Sequence, residues 1–334
     1  PRIELIDKYD MGAVMGTVGN TIEYHRKGYE EYDETALREG AANLVKEYGK
    51  DRGIIVCLGN EPHGKGEKVL EDVRAYKAMY EGAKRADPSV LVLGTSSGPM
   101  EEYFQAGYGQ YCDVYDFHTY NDVDSIRRTF ETYRELFKKY GHPKPIWSTE
   151  LGLNSQGMTR RVVAGDLVKK FATFFACGGQ NASWFGLLYP DPEGKLEGSS
   201  GQSHNVFFCR YKCYSPKLDA IAYYNMVNGI CVKKFVVEKQ YDQLRAILFR
   251  DEAGQCLQVL WSERGAKDVF VPLKSVGEVR RIRIDGGIET FDAGGAGLTL
   301  RVDEDPILLL YADAAGTLPD ALGAPAATLT AVPA

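Results

Sequence analysis

Short apolar runs alternate with longer amphipathic segments through the first 230 residues of the chain. Six runs rich in β-branched residues predict strands, and they span residues 13–18, 54–58, 90–93, 114–117, 146–149 and 182–187. Strands that alternate with helical segments are typical of an α/β fold, in which helices connect the strands of a parallel sheet. The hydrophobic pattern therefore predicts an α/β architecture for this part of the chain.

Two of the connecting segments have the spacing of an amphipathic helix. Apolar residues recur at steps of three and four over residues 69–83, and this pattern stops before Pro88. Residues 126–137 repeat the spacing. Asp124 is the predicted N-cap of that second helix, because its carboxylate can accept hydrogen bonds from the free amides of the first turn.

The pattern changes after a further helix predicted at residues 216–227. Short alternating strands follow, separated by Asp/Gly-rich turns, at residues 246–249, 257–261, 269–271 and 307–311. Such a series is typical of an antiparallel β-sandwich. We therefore predict a catalytic α/β domain at 1–230, a β-sandwich accessory domain at 231–314 and an Ala/Pro-rich linker or tail at 315–334.

Composition and charge exclude several classes of partner. Lys and Arg number 40 against 46 Asp and Glu, and no basic tract is long enough to bind a phosphate backbone, so no nucleic-acid partner is expected. No apolar run reaches 18 residues, so no membrane span is predicted. The seven cysteines are scattered and are expected to be buried thiols. Cys209 and Cys213 lack a second ligand pair, so neither a metal nor a cofactor is expected.

Two glutamates lie at predicted strand ends. Glu61 follows the second strand within Leu-Gly-Asn-Glu-Pro-His, and Glu150 ends the fifth within Ile-Trp-Ser-Thr-Glu-Leu-Gly. In a parallel α/β barrel the carboxyl ends of the strands form one face, so the two side chains should converge although 150 − 61 = 89 positions separate them. A convergent pair of carboxyl groups suits glycoside hydrolysis with retention, in which one group is protonated and the other ionised.

These motifs resemble those of the retaining glycoside hydrolases of clan A, which are (β/α)8 barrels, and are most similar to the family 39 group of β-xylosidases and α-iduronidases. Asn60, Glu61 and Pro62 resemble the Asn-Glu-Pro at the end of the fourth strand of that clan, and Thr149 and Glu150 resemble the Thr-Glu of its seventh strand. The resemblance implies that Glu61 is the general acid/base, that Glu150 is the nucleophile, and that Asn60 donates a hydrogen bond to the sugar 2-hydroxyl.

Four further residues are candidates for substrate binding. His118 and Tyr120 resemble the His-x-Tyr of the sixth strand, which implies that the histidine lines the sugar site and that the tyrosine steadies the nucleophile. Trp184 resembles the platform tryptophan of the eighth strand, although core packing is an alternative. His63 is a loop candidate for contacts with a neighbouring sugar, and an ordinary surface histidine is the alternative.

The resemblance also implies two strands that the pattern does not contain. The clan has eight strands, whereas six are predicted here, and the first of these corresponds to the third of the clan. The arginine that the clan carries at the end of its second strand has no counterpart. We therefore expect a barrel that lacks its first two strands in this chain, with another segment or another chain supplying them. Separately, we expect a secreted or periplasmic enzyme.

The expected partner is an oligosaccharide or polysaccharide with a β-D or α-L linkage. One alternative is a catalytically inactive carbohydrate-binding barrel or a scaffold fragment of a larger assembly, although intact glutamates at both strand ends argue against it. A second alternative is metal-assisted hydrolysis, which needs clustered His and Asp side chains; His118 and Asp116 are the residues that come near this pattern.

Overall fold

The computed structural model groups the chain into two compact units. The first comprises Pro1–Thr119, Arg128–Glu150 and Gly179–Ser183, and the second comprises Tyr120–Arg127, Leu151–Gly178 and Trp184–Ala334. The predicted domain boundary near residue 230 stays a prediction. The structure describes residues 8, 13–16, 33–49, 53–62, 64–186, 207–209, 215–273, 277–314 and 316–323.

Among the described residues of the α/β part, six strands form two three-stranded sheets. They are β1 (Ala13–Gly16), β2 (Gly53–Cys57), β3 (Leu91–Leu93), β4 (Tyr115–Thr119), β5 (Ile146–Leu151) and β6 (Asn181–Trp184). The sheet orders are β1-β2-β3 and β4-β5-β6, so neighbouring strands follow each other along the chain. The first three strands run parallel, and a parallel bridge between Leu93 and Val114 continues the pairing. The six predicted strands are confirmed.

Helices connect these strands, as the apolar spacing predicts. They are α1 (Glu34–Tyr48), α2 (Glu67–Ala86), α3 (Glu101–Gln105) and α4 (Val123–Tyr140). The helix α2 ends just before Pro88, whose ring disfavours helical backbone at the preceding residue. Both helices predicted in this region are therefore confirmed.

The predicted N-cap of α4 is wrong. The cap is Asp122, whose carboxylate accepts a hydrogen bond from the backbone amide of Ser125 at 2.7 Å. Asp124 lies in the first turn instead, with its side chain 66% exposed. The helix begins at Val123, whereas the apolar spacing that predicts it starts only at residue 126. Apolar spacing shows which side of a helix is buried and does not mark the residue that caps it, so the prediction places the cap two residues too late.

A cluster of buried aromatic rings fills the core beneath the strand ends. The ring centroids of Phe104 and Tyr115 are 5.1 Å apart, and those of Tyr115 and Tyr133 are 5.5 Å apart. Buried tyrosine hydroxyls require partners. Tyr108 accepts from the amide of Thr95 at 2.8 Å, and Tyr133 donates to the Asp116 carbonyl at 3.1 Å. These bonds tie the aromatic core to the backbone of β4 and to the segment after β3.

The second unit is rich in antiparallel sheet. Its described residues form the helices α5 (Arg160–Ala176) and α6 (Leu218–Ile230), the short pair β7 (Phe208–Cys209) and β8 (Ser215–Pro216), and eight further strands. These are β9 (Lys234–Tyr241), β10 (Leu244–Arg250), β11 (Gln255–Ser262), β12 (Lys267–Pro272), β13 (Glu278–Ile282), β14 (Ile288–Asp292), β15 (Gly297–Val302) and β16 (Ile307–Ala312).

Two sheets share one apolar core in this unit. The larger has the order β14-β13-β16-β11-β10-β9, and the smaller pairs β12 with β15. Buried residues from both sheets, such as Leu248 and Val271, belong to the same core cluster. The four strands and the helix predicted for this region are confirmed.

The first part of the predicted linker packs against this β-rich unit. Leu318 is buried in its core, and Gly323 forms a backbone bridge with Phe270. The carbonyl of Pro319 accepts a hydrogen bond from the Tyr241 hydroxyl at 2.6 Å. Residues 316–323 are therefore not a free linker, because one apolar side chain and two backbone contacts anchor them.

Within the described residues, none of the helices combines the length and apolarity that crossing a bilayer requires.

We expect the substitution Gly94→Ala to destabilise the protein. A Cβ atom at this position would lie 2.1 Å from the Tyr108 hydroxyl and 3.0 Å from the Val114 carbonyl oxygen. The buried tyrosine must then shift, which should lower the free energy of unfolding by about 1–3 kcal/mol in urea denaturation. Gly59→Ala is the control, since its new Cβ would have no neighbour nearer than 3.7 Å. An equal loss in the two variants would contradict this packing argument.

Candidate active site

Glu61 lies in the loop that follows β2, and its backbone conformation is unusual. Its φ angle is +43°, in the left-handed region that residues other than glycine rarely adopt. The backbone amide of Glu61 donates to Ser96 Oγ at 2.8 Å, and Ser96 Oγ in turn lies 3.5 Å from Asn60 Oδ1. The loop after β2 is thus held by the loop after β3, which supports the left-handed turn that presents the Glu61 side chain.

Glu150 is the penultimate residue of β5, which continues for two residues beyond the predicted run 146–149. Its side chain is 25% exposed, compared with 44% for Glu61. Because Glu150 belongs to a strand, its backbone is paired within a sheet, whereas Glu61 depends on loop contacts. The two carboxylates therefore differ in both support and access to solvent.

His118, on β4, lies between the two glutamates. Its Nδ1 atom is 2.9 Å from Glu61 Oε1 and 3.5 Å from Glu150 Oε2. The imidazole is only 6% exposed. A single buried ring therefore contacts both carboxylates that the sequence predicts to be catalytic.

A chain of hydrogen bonds behind the ring determines which nitrogen of His118 carries a proton. Thr149 Oγ1 donates to Asp116 Oδ2 at 2.6 Å, and the Thr149 amide donates to Asp116 Oδ1 at 2.9 Å. Since the threonine has one hydroxyl proton, its oxygen must accept from His118 Nε2, which lies 2.9 Å away. The Nε2 atom is therefore protonated, and Nδ1 is the atom that faces the glutamates.

One proton remains to be shared between His118 Nδ1 and Glu61 Oε1. In one arrangement a protonated Glu61 donates to a neutral imidazole, and in the other an imidazolium donates to a Glu61 carboxylate. Both arrangements place a transferable proton on the 2.9 Å line between these atoms. The two arrangements differ only in which of the two atoms holds this proton.

Asp116 is the last residue of the hydrogen-bond chain behind His118, and it is buried, with 3% of its surface exposed. Burial raises the pKa of its carboxyl, and the nearby His118 and the two hydrogen bonds from Thr149 oppose that rise. Cys57 lies close to it, and burial together with the Asp116 charge raises the pKa of the thiol to about 12. The thiol is therefore protonated at neutral pH and is not a candidate nucleophile.

Glu150 and His118 border a pocket of about 330 Å³. Its walls include Asn60, His118, Thr149 and Glu150, together with Cys57 at the end of β2 and Gly94 directly after β3. A volume of this size suits a small ligand such as a sugar residue. The pocket walls thus combine polar side chains with glycines and apolar residues.

The structure brings together four of the seven predicted site residues, namely Asn60, Glu61, His118 and Glu150. Tyr120 belongs to the second compact unit, where its ring contacts Phe185 edge-on at 5.9 Å between centroids. Trp184 belongs to the same unit and is 6% exposed, with its ring centroid 6.3 Å from that of Phe171. The roles predicted for these two residues stay predictions, and His63 lies outside the described residues.

Thr149 and Ser96 have no role predicted from the sequence, and Asp116 is predicted only as a metal ligand. A signal for Asp116 existed, because residues two apart on a strand face the same side, and Asp116 and His118 have that spacing. Thr149 directly precedes Glu150, so its side chain points away from that of the glutamate. Only the pairing of β4 with β5 shows that Thr149 lies between Asp116 and His118.

Glu61, His118 and Glu150 could also hold a metal ion. One donor atom each from Glu61, His118 and Glu150 lies within 4.8 Å of the others, and this is the group with such geometry among the described residues. The sequence pattern indicates Asp116 and His118 as the residues nearest to a metal site. Asp116 instead accepts two hydrogen bonds from Thr149.

Comparisons with known proteins show the fold. No protein-family model matches the chain, and no curated protein matches it. A family 39 glycoside hydrolase from Bacteroides cellulosilyticus has a TM-score of 0.70 at 16% identity, over 88% of this chain and 67% of that one. A glucosidase from Croceicoccus marinus has 0.59 at 15%, over 84% and 75% of the two chains. A family 5 glycoside hydrolase from Bacteroides vulgatus has 0.51 at 14%, over 86% and 70%.

At such identities the likeness concerns architecture alone. The chain has the α/β-barrel type of fold found in glycoside hydrolases, together with a sheet-rich C-terminal region. This confirms the coarse fold class predicted from the sequence. Fold alone does not establish an activity, which must be argued from the site.

We expect Asp116→Asn to destabilise the protein. Thr149 donates to both carboxylate oxygens, and an amide can accept only one of these bonds, so a buried donor loses its partner. The free energy of unfolding should fall by about 1–3 kcal/mol in urea denaturation. Asp124→Asn is the control, because that side chain is 66% exposed. If both variants unfold at the wild-type urea concentration, the Asp116 contacts contribute nothing to stability.

Proposed function

We propose that this chain is a retaining glycoside hydrolase that cleaves O-glycosidic bonds of β-D- or α-L-linked glycans by double displacement. The proposal depends on one observation, that a carboxylate oxygen of Glu61 and one of Glu150 lie within 4.8 Å of each other. Retaining glycosidases hold their two carboxyl groups about 5–5.5 Å apart, whereas inverting enzymes need about 6.5–9.5 Å to admit a water. The short separation favours direct attack by a carboxylate.

The two glutamates have different roles in this mechanism. Glu150 attacks the anomeric carbon and forms a glycosyl-enzyme, while Glu61 protonates the leaving oxygen. Glu61 then removes a proton from the water that releases the sugar. The greater exposure of Glu61, 44% against 25% for Glu150, supports this division, since the acid/base must meet both the leaving group and the incoming water.

His118 is a positioning residue for both groups. Its Nε2–H is held by Thr149, so its Nδ1 stays directed at Glu61 and Glu150. The proton shared between Nδ1 and Glu61 is available for the leaving oxygen. In the second step the same pair can receive the proton from water, which is the reverse of the first transfer.

We place the six strands β1–β6 as the third to eighth strands of a (β/α)8 barrel. Their sequential order in the two sheets and the parallel bridge between Leu93 and Val114 support this placement. It puts Glu61 after the fourth strand and Glu150 on the seventh, at the face where barrel enzymes carry their active sites.

An oligosaccharide or polysaccharide is the proposed substrate. Asn60 lines the pocket beside the glutamates, which suits a hydrogen bond to a sugar hydroxyl. Tyr120 and Trp184 are proposed to steady Glu150 and to form a platform under the sugar. Glycan binding without turnover would favour the inactive carbohydrate-binding alternative.

Removal of the nucleophile tests the proposal. We expect Glu150→Gln and Glu150→Ala to abolish hydrolysis of a panel of aryl glycosides, because no covalent intermediate can form. Azide should restore turnover in Glu150→Ala and give a glycosyl azide of inverted configuration, whereas the wild type should release a sugar of retained configuration, both followed by proton NMR. Glu131→Gln, at an exposed position of α4, is the control. Full activity of Glu150→Gln would contradict the assignment.

The acid/base role of Glu61 gives a separate expectation. Glu61→Gln should lower kcat/KM on glycosides with poor leaving groups by about 100- to 10,000-fold, because general acid assistance is lost. The loss should be much smaller for an activated aryl leaving group, which departs without a proton. An equal loss for both kinds of substrate would show that Glu61 binds substrate and does not act as the acid.

A further inference from the structure

Glu61, His118 and Glu150 present three donor atoms of mixed chemistry to one point. Two are carboxylate oxygens and the third is the Nδ1 atom of His118, which is unprotonated in the neutral ring because Nε2 carries the proton that Thr149 accepts. Glu61 and Glu150 are 44% and 25% exposed, so a solute can reach both carboxylates, and Glu150 and His118 also border the pocket. The arrangement is therefore accessible and contains a nitrogen lone pair between two potential negative charges.

The distances between these atoms suit one cation. His118 Nδ1 lies 2.9 Å from Glu61 Oε1 and 3.5 Å from Glu150 Oε2. For a metal about 2.1 Å from each donor, these separations correspond to ligand–metal–ligand angles of about 90° and about 110°. Both angles lie in the range between octahedral and tetrahedral coordination. The third pair, one carboxylate oxygen each of Glu61 and Glu150, lies within 4.8 Å, and rotation of the glutamate side chains brings such a pair to the separation of at most about 4.2 Å that one metal allows.

The support behind His118 is of the kind that metal-bound histidines have. Such a histidine usually donates its other ring N–H to a hydrogen-bonded partner that fixes the tautomer and the ring plane. Here Nε2 donates to Thr149 Oγ1 at 2.9 Å, and Thr149 donates to the buried Asp116 at 2.6 Å. This second observation is independent of the distances among the three donors.

We infer that Glu61, His118 and Glu150 form a binding site for a divalent transition-metal ion. One imidazole and two carboxylates favour Zn²⁺ and its neighbours over Mg²⁺ and Ca²⁺, which prefer oxygen donors alone. With three protein ligands, a fourth position stays open to water or to a sugar hydroxyl.

Metal binding at this point would inhibit hydrolysis, an expectation that depends on the proposed function. A cation between the carboxylates occupies the oxygen of Glu150 that attacks and the oxygen of Glu61 that carries the proton. Activity should then fall in proportion to occupancy and return when a chelator removes the ion.

The test is a Zn²⁺ titration of the untagged, chelator-washed full chain against a chromophoric chelator. We expect one site that His118→Gln and Glu150→Gln weaken by more than tenfold. Thr149→Val, which changes no ligand, should weaken it by about 10- to 100-fold because the histidine loses its support. His142→Asn is the control, since His142 is not part of the cluster. Mg²⁺ at the same concentration should not bind, and circular dichroism of each variant verifies folding.

The outcomes separate this inference from the proposed function. Unchanged Zn²⁺ affinity in His118→Gln and Glu150→Gln, or equal binding of Mg²⁺, would overturn the metal site even if the metal-free chain hydrolyses aryl glycosides. Loss of Zn²⁺ affinity in those variants supports the site even if the metal-free chain hydrolyses nothing. A rise in hydrolysis on Zn²⁺ addition would overturn the inhibitory role and favour metal-assisted hydrolysis instead.

Discussion

The hydrogen-bond chain from Asp116 through Thr149 to His118 is the interaction on which the geometry of both glutamates depends. It connects β4 to β5 through side chains, with distances of 2.6 and 2.9 Å. Because each member has one available role as donor or acceptor, the chain has a direction, and that direction leaves His118 Nδ1 facing the pocket. The ring is then placed 2.9 Å from Glu61 and 3.5 Å from Glu150.

Burial makes the hydrogen-bond chain from Asp116 to His118 rigid. Asp116 is 3% exposed, and a buried carboxylate is costly unless its oxygens accept hydrogen bonds. The Asp116 backbone is held as well, because its carbonyl accepts from Tyr133, which belongs to the aromatic core. Packing of the rings beneath the strands is thus transmitted to the imidazole, whose orientation decides how a proton or a cation meets the two glutamates.

His118 also offers an explanation of how two carboxylates can lie so close together. Like charges at short range repel, so one carboxyl of such a pair tends to keep its proton. A proton shared between Glu61 and His118 removes one negative charge from the pair without removing the group. The same electrostatics that suit an acid next to a nucleophile also suit a divalent cation, and the glycosidase and metal-binding proposals therefore concern the same three side chains.

Hydrophobic spacing determined the secondary structure of this chain, since a period of two or of 3.6 residues reports which side of a strand or helix is buried. The six α/β strands, the helices α2 and α4, and the antiparallel character of the C-terminal sheets follow from that local signal. The cap at Asp122 and the packing of residues 316–323 do not, because they depend on hydrogen bonds and contacts that apolar spacing does not encode.

In the candidate site, too, the sequence determined some features and the tertiary structure decided others. Glu61 and Glu150 could be named from their positions beside predicted strands, because parallel strands present their carboxyl ends on one face. The tertiary structure decided their separation, the left-handed turn that carries Glu61, and the placement of His118 between them. Thr149 and Asp116 acquire a role only when β4 and β5 pair. Thr149 lies 31 positions from His118 and 33 from Asp116, so the sequence does not show that these side chains form hydrogen bonds.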